Sequence, residues 1–285
     1  MNKIILTICL IGFAVASNPV AIFHGFGDAC ANPGMKSFTK QIAAGVNGAY
    51  VKCVEIGNGA MSSVLMRFDK QVENACNSIK QDPNFQGKTI NVLGLSQGGL
   101  IARGIIETCD FGGSVARLIS IGGPQMGVAT IPKCHKGIFC NILNGLVDDL
   151  VYTPLAQKTV GPAGYFRNPK HYNTYLKHSI FLPIVNNERQ VNQTYKDRFV
   201  ALEKVQLTMF SKDSVIDPKE TAWFSFYGTD GKTVVGIEQQ DVFTQDLFGL
   251  KTVYDAGKVE FITIDGDHLR FSTEDIQNIY IPALQ

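Results

Sequence analysis

The run Gly94-Leu95-Ser96-Gln97-Gly98 has the G-x-S-x-G spacing, in which a serine hydroxyl stands at the apex of a turn too tight for side chains two positions to either side. A hydroxyl is a weak nucleophile until a base takes its proton, so this serine needs a histidine, and the histidine needs a carboxylate to orient it. The chemistry to expect is attack on an acyl carbonyl. The oxyanion that forms must be met by two N–H donors. Gln97 offers one at the start of a helix, and Phe26 offers the other from the glycine-rich run His24-Gly25-Phe26-Gly27-Asp28, with the backbone donating. His24 and Asp28 are expected to hold that loop in place rather than transfer protons.

Of the five histidines, His24 precedes the serine, and His135, His171 and His178 fall where no strand pattern exists, as ordinary surface histidines do. His268 alone follows a late strand, in Ile264-Asp265-Gly266-Asp267-His268-Leu269, and is the expected base. The orienting acid should come from Lys212-Asp213-Ser214-Val215-Ile216-Asp217-Pro218. Asp213 is preferred because it lies nearer the preceding strand end, whereas Asp217 beside Pro218 reads as turn chemistry. The chain order Ser, Asp, His is that of α/β-hydrolases.

Elements able to position these residues are present. Val20 to Phe23, Ala49 to Ile56, Thr89 to Leu95 and Val115 to Ile121 read as strands, with a helix over Gln97 to Thr108. Another helix is expected to start at Ser62 or Ser63, its apolar Leu65, Phe68, Val72, Cys76 and Ile79 stepping by three or four. Strands alternating with helices predict an α/β fold, a mostly parallel sheet with helices on both faces. From about 132 to 203 the strand period stops, and this stretch reads as a lid-like insertion within a single domain covering 17–285. Val205 to Phe210 and Val259 to Ile264 resume the sheet, and Ser272 with Asp275 forms a capping box for the terminal helix.

With 45% hydrophobic and 18% charged residues the chain is globular in composition. A formal net charge of +1 without a basic run gives no footprint for nucleic acid. Ile4 through Ala16 is almost wholly apolar after Lys3 and ends in Ala14-Val15-Ala16, the pattern of a secretory signal peptide over 1–16. No later stretch predicts a transmembrane segment. Losing Cys9 with the signal leaves six of the seven cysteines, Cys30, Cys53, Cys76, Cys109, Cys134 and Cys140, in a chain bound for an oxidising compartment. Disulfides are expected, their connectivity open, and no metal or cofactor is implied because none of the spacings is a metal knuckle. Asn192-Gln193-Thr194 is a glycosylation sequon, unless Asn192 instead serves to cap the helix over Tyr195 to Leu202.

Taken together, His24-Gly25-Phe26-Gly27-Asp28, Gly94-Leu95-Ser96-Gln97-Gly98-Gly99, Asp213 to Pro218, Trp223-Phe224, Tyr227 and Gly266-Asp267-His268-Leu269 resemble the palmitoyl-protein thioesterases, above all their soluble lysosomal members. The likeness extends to His178 to Leu182 and Asn187-Glu188-Arg189 inside the insertion. It implies the triad Ser96, Asp213 and His268. It implies as substrates S-acylated proteins or peptides and other long-chain acyl thioesters, the acyl chain lying in an apolar groove made largely by the insertion, in a lysosomal or secreted protein. Burying ~14 methylenes at ~0.8 kcal/mol each favours such a groove over water by on the order of 10 kcal/mol. Most of that gain vanishes against a membrane, which suits the groove to acyl peptides already detached from bilayers.

The resemblance also implies bridges Cys76 to Cys109 and Cys134 to Cys140. Two departures stand out: Cys30-Ala31 replaces an adjacent pair of cysteines frequent in the family, and Cys53 stands where serine is common. A Cys30 to Cys53 bridge would restore an even count. Lys212 replaces an asparagine that would make a sequon beside the acid. Two rival readings remain: a lipase or carboxylesterase using the same machinery on oxyesters, and a non-catalytic secreted lipid-binding protein that kept the fold.

Overall fold

β-branched runs make the strands and glycine-bearing loops end them. In a computed structural model, which describes residues 17–130 and 148–285, Val20–Phe23 (β1), Val51–Val54 (β2), Thr89–Leu95 (β3), Ser114–Ile121 (β4), Lys204–Phe210 (β5) and Val259–Ile264 (β8) form one sheet in the order β2-β1-β3-β4-β5-β8. Every pairing in it is parallel. Phe226–Tyr227 (β6) and Val234–Val235 (β7) make a separate antiparallel pair. The expected signal segment 1–16, His135, Cys134 and Cys140 lie outside the described residues.

Side chains alternate across the sheet and so divide the core in two. Val20, Ile22, Leu93, Leu95, Ile119, Ile121 and Phe210 point to one face, where Pro33–Gly45 (α1) and the C-terminal turns cover them through Met35, Phe38, Ile42, Ile276 and Tyr280. Ala21, Phe23, Ile90, Val92, Leu118, Val205 and Leu207 point to the other, under Phe68–Gln81 (α3) and Gln97–Thr108 (α4). Helices on both faces of a parallel sheet give the α/β-hydrolase arrangement.

Three local expectations are corrected. The single helix from Ser62 or Ser63 is instead Ala60–Leu65 (α2) and α3, separated where Met66 (φ −94°, ψ 132°) and Arg67 (φ −55°, ψ 144°) are extended. The two serines lie inside α2 and cap nothing there. The second strand is only Val51–Val54, because the N–H of Ile56 turns away from the sheet to His24 Nε2, 3.3 Å distant. Ser272 and Asp275 do form a reciprocal capping box, but the helix they open, Thr273–Asp275, gives way at once to a π turn over Ile276–Tyr280.

Between β4 and β5 the described residues 148–203 hold no strand, only short helices such as Pro154–Thr159, Tyr172–His178 and Gln193–Val200. Their Phe181, Leu182, Phe199 and Leu202 join the same core as Val92 and Ile101. Arg103, fully buried on α4, pairs with Glu107 at 2.7 Å and donates to the carbonyls of Gln125 and Val185, tying the insertion to the helix beneath it. Disulfides join Cys30 to Cys53, fixing the loop after β1 to β2, and Cys76 to Cys109, fixing α3 to the end of α4.

Candidate active site

Because the strands are parallel, the loops after β1, β3, β5 and β8 emerge at one edge of the sheet, and each contributes to a single constellation. Ser96 sits between β3 and α4 at φ 54°, ψ −126°, a conformation costly for any residue but glycine. Three contacts impose it: the Ser96 N–H donates to Ile121 O, the Gly99 N–H to Ser96 O, and the strand and helix crowd together. A Cβ on Gly94 would lie 2.1 Å from the carbonyl oxygen of Gly98, and one on Gly98 only 2.2 Å from that of Phe23. The two glycines of the motif are therefore steric requirements of the turn.

His268 Nε2 lies 2.9 Å from Ser96 Oγ, and its Nδ1 lies 2.7 Å from Asp213 Oδ2. An ionised carboxylate can only accept, so Nδ1–H donates to Asp213 and Nε2 is left to accept the serine hydroxyl. The other oxygen of Asp213 takes the N–H groups of Val215 and Ile216, each at 2.9 Å. Ser96, Asp213 and His268 are all largely buried, with side-chain exposures of 3% and 10% for the latter two. Asp267, which the sequence did not single out, couples the two loops: its Oδ1 accepts from the N–H and hydroxyl of Ser214 and from the N–H of His268. Those donors, His268 N–H first, hold its carboxyl below the usual range.

Asp217 is drawn elsewhere. It accepts from the Tyr227 hydroxyl at 2.6 Å and from Thr130 Oγ1 at 2.8 Å, and the first of these bonds leads in pushing the Tyr227 phenol up to about 12. The loop after β1 is fixed from several sides. His24, fully buried, donates to Gly25 O through Nδ1, and its Nε2 lies 3.3 Å from the Ile56 nitrogen and 2.8 Å from Glu55 Oε1. Asp28 accepts from the Ala29 N–H and the Asn32 amide. A Cβ on Gly25 would stand 3.3 Å from Ser96 Cβ, so the residue before Phe26 packs against the serine. The N–H of the residue after Phe26, Gly27, donates to Ser63 Oγ at 2.8 Å.

Around Gln97 lies a network the sequence did not announce. Its amide donates to Ser63 O and to Gln71 Oε1, its oxygen accepts from the Tyr165 hydroxyl at 2.8 Å, and Gln71 donates to Ser63 O and Met66 O. Burial raises the Tyr165 phenol, so the hydroxyl remains a donor. One signal was available: Gln71, three residues after Phe68 and one before Val72, is a polar residue on the buried stripe of α3.

A serine on a strained strand-to-helix turn, an imidazole within reach of it and a carboxylate behind the imidazole can together generate an alkoxide-like nucleophile without a metal or cofactor. Comparison with known proteins narrows the class. The palmitoyl protein thioesterase family pattern matches residues 19–268. The chain belongs to that family. Palmitoyl-protein thioesterase 1 of Caenorhabditis elegans is 34% identical across 91% of this chain and 89% of its own length. Palmitoyl-protein thioesterase 3 of Dictyostelium discoideum is 34% identical across 100% and 99%. The lysosomal thioesterase PPT2 homolog of Drosophila melanogaster is 30% identical across 90% and 86%. As a member of the palmitoyl protein thioesterase family, the chain is a thioester hydrolase.

Proposed function

We propose that this thioesterase hydrolyses long-chain acyl groups, palmitoyl among them, from cysteines of lipid-modified proteins or peptides, with Ser96 as nucleophile, His268 as base and Asp213 as the carboxylate that orients it. The observation that carries the reading is the unbroken line Ser96 Oγ, His268 Nε2, His268 Nδ1, Asp213 Oδ2, at 2.9 and 2.7 Å. Ser96 Oγ attacks the thioester carbonyl as its proton passes to Nε2. The oxyanion takes the N–H groups of Phe26 and Gln97. Collapse breaks the C–S bond and the leaving thiolate receives the proton from His268, leaving Ser96 acylated. Water, deprotonated by the same nitrogen, then releases the fatty acid.

The insertion supplies the acyl-binding region in this reading. Leu150 and Leu155 are 56% and 74% exposed, and Met61 and Leu65 are exposed on α2, which packs against Gly161–Tyr165. Uncovered apolar surface of this kind is what an acyl chain can cover. The N-terminal segment, the disulfides and a relative named as a lysosomal thioesterase support a place in the secretory pathway, in lysosomes or outside the cell. No helix among the described residues is long and apolar enough to cross a membrane. The test is a panel of S-palmitoyl peptide, palmitoyl-CoA and matched oxyesters on the wild type and Ser96→Ala. Thioester turnover should fall at least ~1000-fold in the variant. Unchanged turnover in folded Ser96→Ala overturns the nucleophile, and a preference for the oxyesters overturns the substrate class.

A further inference from the structure

The two backbone donors that meet the oxyanion come from separate pieces of chain, Phe26 from the loop after β1 and Gln97 from the first turn of α4. Backbone groups that act as a pair must keep their spacing to within ~0.5 Å. Ser63 touches both pieces. Its hydroxyl accepts the N–H of Gly27, the residue after Phe26, at 2.8 Å, and is itself held by donating to Ala60 O at 2.8 Å. Its carbonyl accepts the Gln97 side-chain amide at 3.0 Å and that of Gln71 at 3.1 Å. Ser63 and Gln71 are fully buried, and Gln97 is 1% exposed.

The insertion reaches the same point. The Tyr165 hydroxyl holds the oxygen of Gln97 at 2.8 Å, and Gly161 lies so close that a Cβ there would be 2.4 Å from Gln71 Nε2 and 2.8 Å from Ser63 O. In a buried network whose groups are committed to one another, a displaced member leaves its partner without its hydrogen bond.

We propose that Ser63 is a positioning residue that sets the distance between the two oxyanion donors, and that Tyr165 makes this distance depend on the seating of the insertion. The proposal rests on the acyl-transfer reading above. Ser63→Ala frees the loop arm from the helix arm without touching substrate. It should lower kcat for S-palmitoyl peptide about 10-fold to 100-fold, in line with the penalty for misplacing reacting groups by a fraction of an ångström, and leave KM within about two-fold. A palmitoyl trifluoromethyl ketone, whose adduct with the serine carries the oxyanion, should lose potency by the same factor as kcat/KM.

Tyr165→Phe, which keeps the ring and removes only the donor to Gln97, should move the same two quantities in the same direction by a smaller factor, and it carries the test if Ser63→Ala does not fold. Loss of thermal stability with kcat and ketone potency intact would make the contacts merely structural and overturn the proposal. So would a rise in KM alone. Ser96→Ala, run in parallel, separates the two levels: if it stays active the nucleophile is wrong, whereas an inactive Ser96→Ala beside an unimpaired Ser63→Ala removes the positioning role only.

Discussion

Asp213 and Asp217 share one loop and one functional group, yet their partners differ in kind. Asp213 faces an imidazole and two backbone N–H groups, while Asp217 faces two hydroxyls. Asparagine at 213 would present either an N–H or a neutral oxygen to Nδ1, disturbing the tautomer that leaves Nε2 free. We therefore expect Asp213→Asn to cut kcat by roughly 10³-fold to 10⁴-fold. Asp217→Asn keeps an acceptor for Tyr227 and Thr130 and should cost about 1–2 kcal/mol of stability with little change in turnover. Steady-state kinetics on an S-acyl peptide, paired with urea unfolding, decide between them; equal loss of kcat in two folded variants refutes the distinction. Ser96, His268 and Asp213, which the fold brings within hydrogen-bond distance of one another, could be proposed from the sequence because each follows a readable strand and the chemistry restricts the residue types. Ser63, Tyr165 and Asp267 could not. Their importance lies in what they touch across more than thirty residues of intervening chain, and a serine beside an expected helix start reads as a cap until the fold shows its hydroxyl bonded to Gly27.

Helix and strand boundaries were legible where one signal dominated. Thr89–Leu95, Gln97–Thr108 and Val259–Ile264 fall where apolar pattern and glycine punctuation agree. The break between α2 and α3 was hidden because Leu65 and Phe68 keep helical spacing across it, although Leu65 ends up 38% exposed. β6 and β7, two residues each, are too short for any periodicity to show. At Asn192 two readings meet on one side chain: Oδ1 accepts the Tyr195 N–H at 3.3 Å and opens the helix Gln193–Val200, while glycan attachment uses the amide nitrogen. Capping and glycosylation thus use different atoms. Thr194→Ala removes the sequon and keeps the cap; Asn192→Gln removes both. Asn192→Gln should lower stability by about 1 kcal/mol and Thr194→Ala by less than about 0.5 when compared after deglycosylation. Both should lose the same mass shift on enzymatic deglycosylation of the secreted protein. Equal stability of the two variants would deny the cap.

Asp82, which joins the end of α3 to the edge of the sheet, contributes to the acid response of the molecule. Its side chain is 6% exposed, and burial alone would raise its carboxyl. Lys52 at 2.8 Å, the Asn84 N–H and the Tyr50 hydroxyl outweigh that and bring it down to about 2. A depressed carboxylate stabilises the fold above its unfolded value near ~3.9 and loses that contribution as pH falls toward the folded value. Asp82→Asn should therefore be less stable than wild type by about 1–2 kcal/mol at neutral and mildly acidic pH alike, with the gap closing below about pH 4. Urea unfolding at three pH values reads this, and a gap that widens in acid contradicts it.

The two cross-links bear on a hazard that the proposed substrates would bring. Long-chain acyl peptides and the free acids they yield are surfactants, and surfactants prise apart apolar cores. One covalent tie holds the loop that carries Phe26 and the other holds the far end of the helix that begins at Gln97, so both walls around the serine are stapled to their neighbours. On the proposed substrate class, these two ties brace the site against the detergent that substrate and product would make.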